Sequence, residues 1–197
     1  MPTCGCSYGK IRKSVFLSHM KRILPFLLFF LFHQSFGQSS SAPTQQISAK
    51  RIHTPITLDG QLKEPIWKEV DCVHSFTQLK PYPGNPASKR TEVRMVYDDD
   101  ALYISAICFD NPDSVSNVLS IRDDYNPNLD VFQIYLDTYN DDQNGFYFGV
   151  TSRGVQIDAK IQGSNYIGEL NLAWGSAVSL SDQGWIAEVR IPYSAIR

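Results

Sequence analysis

Cysteine and histidine are scarce in this chain, four of each among 197 residues, and half of each lie within the first 37. Beyond them, Cys72 and Cys108 offer no metal-ligand spacing, and His53 and His74 have no Ser or Cys partner at any motif spacing. A glycine-rich phosphate loop and a zinc signature are both missing, which removes the usual nucleotide and zinc enzymes. Glycoside hydrolysis needs two carboxyls facing one cleft, one of them in a pKa-raising pocket. The acids here fall in turns or at outward strand positions such as Asp158 and Glu188, where water is expected to keep them ionised, so no pair asks for that role. Long helical periodicity is absent too, which argues against a βαβ fold.

Positive charge is also short once the N-terminus is set aside. Lys21-Arg22 precede the apolar run Ile23 to Phe32 and then Ser35-Phe36-Gly37, the pattern of a secretory signal peptide cleaved before Gln38. The run is too short for a comfortable membrane span of about twenty residues, an uncleaved anchor being the alternative. Met20 is the expected start, with residues 1–19 a misassigned upstream extension. No cysteine follows the run, so a lipoprotein anchor is not indicated. Removing residues 1–37 takes away five of 18 Lys and Arg and none of the 20 Asp and Glu, leaving 13 against 20, a net charge of −7. Such a surface repels phosphate backbones, and no basic stripe with interleaved aromatics occurs, so nucleic acid is excluded as a partner. Export to the periplasm, outer membrane or extracellular space permits a Cys72–Cys108 disulfide, although Cys108 sits in an apolar strand where a buried free thiol fits equally.

Residues 38–46, rich in Ser, Gln and Ala, read as a flexible leader. Residues 47–197 are one domain's worth of chain, about 150 residues, large enough to bury roughly two thirds of its unfolded surface. Leu58-Asp59-Gly60 supplies a turn, and Glu64-Pro65-Ile66-Trp67 brings a large apolar side chain just after it. Alternation then marks strand after strand. Glu92–Tyr97 and Leu102–Phe109 flank Asp98-Asp99-Asp100-Ala101 as a hairpin, and the second strand, apolar on both faces, is central. In 131–137, Phe132, Ile134 and Leu136 point inward and Gln133 and Tyr135 outward. Phe146, Phe148 and Val150 continue the core. After Arg153-Gly154, Val155, Ile157 and Ala159 are expected inward, with Gln156, Asp158 and Lys160 outward. Trp185, Ala187, Val189 and Ile191 face in on the last strand. Trp174 and Trp185 read most simply as core or edge residues, Trp174 being the more exposed of the two.

These short strands with Gly, Asn and Asp between them predict an all-β fold: an antiparallel β-sandwich, jelly-roll or immunoglobulin-like, with at most one or two short helical turns at 64–70 and 193–197. No closing strand follows Arg197, so the domain is expected to be truncated at its C-terminus.

Four ordered blocks give the sequence a family likeness: Ile56-Thr57-Leu58-Asp59-Gly60 with Glu64 and Trp67; Val96 to Ile104; Asp130 to Asp137 with Asn144 to Phe148; and Gly184 to Pro192. Together they resemble carbohydrate-binding module family 9, in particular its relatives at the N-terminus of larger exported proteins whose C-terminal part looks like an outer-membrane β-barrel. The resemblance implies a sandwich that binds poly- or oligosaccharide, commonly with structural calcium, beside a catalytic or membrane-barrel domain. Sugar-binding members clamp a saccharide between two tryptophans. On this alignment the first clamp position is Pro127, the sugar-bonding carboxylate is Gln133, a neighbouring-strand arginine is Gly149, and the second clamp lies beyond Arg197.

Tyr125-Asn126-Pro127-Asn128 presents an aromatic and two amides at a strand entrance, either a saccharide edge or a plain Asn-Pro turn. Arg122, with Asp123 and Asp124, would add hydroxyl contacts, and Gln133 would donate and accept. Asn140, Asp142 and Asn144 place oxygens at alternate positions, either calcium ligands or a polar hairpin turn. The reading is a noncatalytic, exported carbohydrate-binding module; the alternative is a docking domain of an outer-membrane assembly that no longer binds sugar.

Overall fold

The structure, a computed structural model, describes residues 46–116, 118–168 and 170–197. The expected signal peptide and all but the last residue of the leader lie outside the described residues. After β1 (Lys50–Arg51) and a single helical turn, α1 (Ile66–Glu69), the chain forms β2 (Thr91–Tyr97), β3 (Ala101–Phe109), β4 (Val131–Leu136), β5 (Asn144–Thr151), β6 (Gln156–Gln162), β7 (Asn165–Ile167), β8 (Gly175–Ser181) and β9 (Gly184–Pro192). Short 3₁₀ turns occupy Pro112–Ser114 and Tyr193–Ile196. Pro65 precedes α1 in a helical conformation, where its missing N–H costs no hydrogen bond.

Two sheets make a β-sandwich. One has the order β1-β2-β3-β9-β8, the other β4-β5-β6-β7, and only the two-residue β1–β2 pairing is parallel. The central place of β3, flanked by β2 and β9, explains why both its faces are apolar. Between the sheets, Ile104 and Ala106 of β3, Trp185 and Val189 of β9, and Ile134 and Phe148 of the second sheet pack into one core. Each fully buried side chain of this size contributes about 1.5–3 kcal/mol relative to exposure. Cys72 and Cys108 are free thiols, and burial pushes the Cys108 pKa up to about 12.

Two expectations are corrected. On β6 the faces are reversed. Cross-strand partners share a face, and β5 sets β6 so that Asp158 stands opposite Phe148 and Gln156 opposite Val150. The polar residues of β6 therefore point to the core side, while Ile157 and Ala159 join Tyr147 on the outer face. Asp158 and Glu188, expected in water, are both fully buried. Trp174 and Trp185 are both core residues as expected, Trp174 the more exposed of the two, and Trp174 packs edge-on against Phe148 at 5.3 Å.

The segment around Asp59-Gly60 crosses the outer face of the five-stranded sheet. Glu188 Oε2 accepts from the amides of Asp59 at 3.1 Å and Gly60 at 2.8 Å, and Ser179 Oγ donates to the Gly60 carbonyl at 2.6 Å. Burial raises the Glu188 pKa, and the two amide bonds oppose that rise. Trp67, Ile52 and Ile56 then seal Val96 and Tyr103 beneath them. Gly60 has φ +74°, and a Cβ there would lie 2.8 Å from the Val178 carbonyl carbon. Gly60→Ala is expected to cost about 1–3 kcal/mol from the backbone conformation alone, more with the clash, read as a lower urea midpoint; an unchanged midpoint would show that this turn is not fixed.

Candidate functional site

The opposite outer face, that of the four-stranded sheet, carries a cluster of tyrosines. Register builds it: Tyr135 on β4 stands opposite Tyr147 on β5, Tyr147 opposite Ala159 on β6, and Ile161 opposite Tyr166 on β7. Tyr147 is the floor, only 3% exposed. Tyr135 tilts over it at 5.1 Å between ring centroids, Tyr166 meets it edge-on at 6.0 Å, and Tyr125 stacks on it at 6.3 Å from the loop before β4. Those three rings keep 52%, 54% and 53% of their surface exposed, so each offers half a ring to a ligand.

Gln133 lies on the same face, opposite Gly149. Its Oε1 accepts from Tyr135 Oη at 3.3 Å. A Cβ at Gly149 would fall 2.6 Å from Tyr147 Oη, so the bare glycine is what admits that phenol. Burial pushes the Tyr147 phenol well above its ordinary range, and Tyr135, by burial and then by hydrogen bonding to Tyr166, rises to about 12. At neutral pH the Tyr135 and Tyr147 phenols are therefore hydroxyls, able to donate and accept.

Tyr125 and Gln133, both expected at the site, are thus brought together. Asn126 and Asn128 follow Tyr125, and Asn126 Oδ1 accepts from the Asn128 amide at 2.9 Å, which closes the turn. Arg122 is drawn away from the face. Its guanidinium donates to Asp158, to Gln156 Oε1 at 2.6 Å and to the Leu172 carbonyl at 3.3 Å. Asp158 also accepts from Trp174 Nε1 at 3.0 Å and from the Leu172 amide at 2.9 Å, while its own amide donates to Asp123 Oδ1 at 2.9 Å. Residues 121–124 and 171–174 are therefore fastened to β6 through one buried carboxylate, and Tyr125 leaves that anchor directly. Tyr135 was read as outward-facing yet not as a site residue. Tyr147 escaped notice between core residues Phe146 and Phe148, though alternation alone sets it outward. Tyr166, in a three-residue strand, has no periodic signal.

In the loop before β5 two carboxylates bind the loop's own donors. Asp137 accepts from the amides of Tyr139 and Asp142, and Asp141 accepts from the amides of Gln143 and Asn144 and from Asn144 Nδ2 at 2.7 Å. Asn140 and Asp142 are exposed and take positive φ, which Asn and Asp tolerate. Among the described residues no three His, Cys, Asp or Glu side chains gather to hold a metal ion. A cavity of about 310 Å³, lined by Asp99, Asp100, Arg190, Tyr193 and Arg197 among others, includes none of Tyr125, Tyr135, Tyr147 and Tyr166.

Comparison with known proteins gives a consistent picture. Residues 58–197 match the family described as carbohydrate family 9 binding domain-like. The chain is 28% identical over 163 residues to exoglucanase XynX of Acetivibrio thermocellus; the match takes in 82% of this chain and 14% of that protein's length. Among solved structures, a carbohydrate binding module family 9 from Caldicellulosiruptor kristjanssonii in complex with cellotriose aligns with TM-score 0.52 and 18% identity, over 73% of this chain and 66% of that one. A module of the same description in complex with glucose aligns with TM-score 0.51 and 20% identity, over 75% and 71%. At these identities the likeness to solved structures shows the β-sandwich fold.

Two outcomes are expected. Arg122→Ala leaves Asp158 buried with its charge unpaired, and is expected to cost on the order of 3 kcal/mol and to red-shift Trp174 fluorescence; an unaltered denaturation curve would show that the ion pair carries no stability. Chelation with EGTA is expected to leave the melting temperature unchanged, whereas a fall of several degrees would restore a structural ion.

Proposed function

The chain belongs to the carbohydrate family 9 binding domain-like family, a noncatalytic module family, and from that premise we propose that its tyrosine face holds a poly- or oligosaccharide. The observation that carries the reading is the set of three half-exposed rings around Tyr147 with Gln133 among them. An aromatic face matches the apolar C–H face of a pyranose, and phenols and an amide take its hydroxyls. No bond is made or broken. The module works by raising the effective concentration of glycan near a catalytic or membrane-barrel partner. The apolar run behind Lys21-Arg22 supports export to the periplasm, outer membrane or extracellular space as part of the same proposal.

The rival reading is a docking domain of an outer-membrane assembly, favoured by Pro127 and Gly149 standing where the resemblance implies a clamp tryptophan and an arginine. Affinity electrophoresis in gels cast with neutral polysaccharides separates the two. Retention is expected for the protein, with Tyr125→Ala and Tyr166→Ala each losing about 1 kcal/mol of binding, roughly fivefold. Tyr82→Ala, in the excursion before β2, is expected to change nothing. Free migration in every gel, with capture by a membrane partner, would favour docking.

A further inference from the structure

The two sheets have four edges, and three of them are blunted. β1 is two residues long and β7 three, and β8 is crossed by residues 58–60, with Leu58 against Gly175 and Gly60 against the Val178 and Ser179 backbone. The fourth edge, β4, has no such protection. It runs for six residues, Val131 to Leu136, with no charge, proline or glycine among them. Charge, proline, brevity or a cover is what keeps a sheet edge from pairing with another chain. Among the described residues no backbone group outside β5 bonds to the β4 backbone.

Register shows which groups are left over. Next to β4 the Ser152 amide donates to the Asp130 carbonyl at 2.9 Å, in line with the pairing of Val131 and Thr151. The Thr151 amide turns the other way, to the Val155 carbonyl at 2.9 Å. Hydrogen-bonding direction alternates along an antiparallel strand. Phe132, Ile134 and Leu136 therefore bond to β5, and the N–H and C=O of Val131, Gln133 and Tyr135 point away from the sheet. The side chains alternate as well, Phe132 and Ile134 toward the core and Val131 toward the outer face with Tyr147.

We propose that this edge pairs with the same edge of a second copy of the chain, antiparallel, about a two-fold axis through Gln133. Gln133 then faces Gln133 of the second copy and Val131 faces Tyr135, so all three outward residues are satisfied, with Phe132 opposite Ile134 on the core side. An isologous contact requires a surface that complements itself, and β4 does so in this register. A slip of one residue would set Phe132 opposite Tyr135 and mix the faces; a slip of two would leave Val131 without a partner in the strand. Because paired residues share a face, the two copies form one eight-stranded sheet with both tyrosine clusters on the same side. Six residues a side make a contact smaller than the roughly 800 Å² per partner of a standard interface, so the dimer is weak and depends on concentration.

Sedimentation equilibrium of the full chain from about 1 μM to about 1 mM, the span in which weak pairing shows, is expected to follow monomer passing into dimer. Hydrogen exchange at the Val131, Gln133 and Tyr135 amides is expected to slow as the dimer forms, a readout that needs no variant. Gln133→Lys and Gln133→Glu each set like charges face to face, and each is expected to raise the dissociation constant at least about tenfold. An equimolar mixture of the two variants is expected to restore pairing, lysine against glutamate. A monomer at every concentration, a dimer untouched by either charge, or a mixture no tighter than its components would each overturn the proposal. Slow exchange of those three amides in a monomer would assign the edge to another segment of the chain and overturn it too.

Discussion

Glu188, buried in the middle of a five-stranded sheet, accepts the amides of Asp59 and Gly60, and the arrangement of the molecule follows from that contact. A buried carboxylate without donors would be costly, so the segment that supplies them has one place to lie. Gly60 comes so close to Val178 and Ser179 that no side chain fits, and the chain then carries Trp67 over Val96 and Tyr103. One outer face of the sandwich is sealed in this way. The other is left free for a ligand, and it is there that the tyrosines gather.

Asp158 plays the corresponding part on the second sheet. An acid on the core side of β6 is tolerable because Arg122, Trp174 and the Leu172 amide converge on it, at the end of the sandwich that loops rather than the other sheet cover. The cost of burying the charge is offset by fixing two loops to one strand. Tyr125 follows Arg122 by three residues, so the ion pair that steadies the fold also sets the ring that completes the tyrosine cluster. Fold and proposed binding surface are coupled through this ion pair.

A module of this kind gains from an open, uncharged face. Half-exposed rings packed against Tyr147, with the Tyr135 phenol held by Gln133, need little ordering when a sugar arrives, which limits the entropy lost on binding. The exposed rings are not an accident of poor packing, since Tyr147 beneath them is as well buried as the core.

Sequence alone determined the sandwich, the central place of β3, the β2–β3 hairpin, the inward faces of β4 and β9 and the two helical turns, because alternation and turn chemistry are local and act within a few residues. Tyr125 was legible as an aromatic in an Asn-Pro turn, while Gln133 entered only through the family resemblance. The face of β6 was misread because Ile157 and Ala159 are apolar and alternate as a core face would. Only pairing with β5 shows that they lie under Tyr147. Whether Asp158 and Glu188 meet water or a buried partner was likewise beyond local reading, since their partners lie up to 129 residues away in sequence. The assembly of Tyr125, Tyr135, Tyr147 and Tyr166 into one surface was decided by tertiary structure, because strand register and a loop anchored by a distant carboxylate bring those rings together.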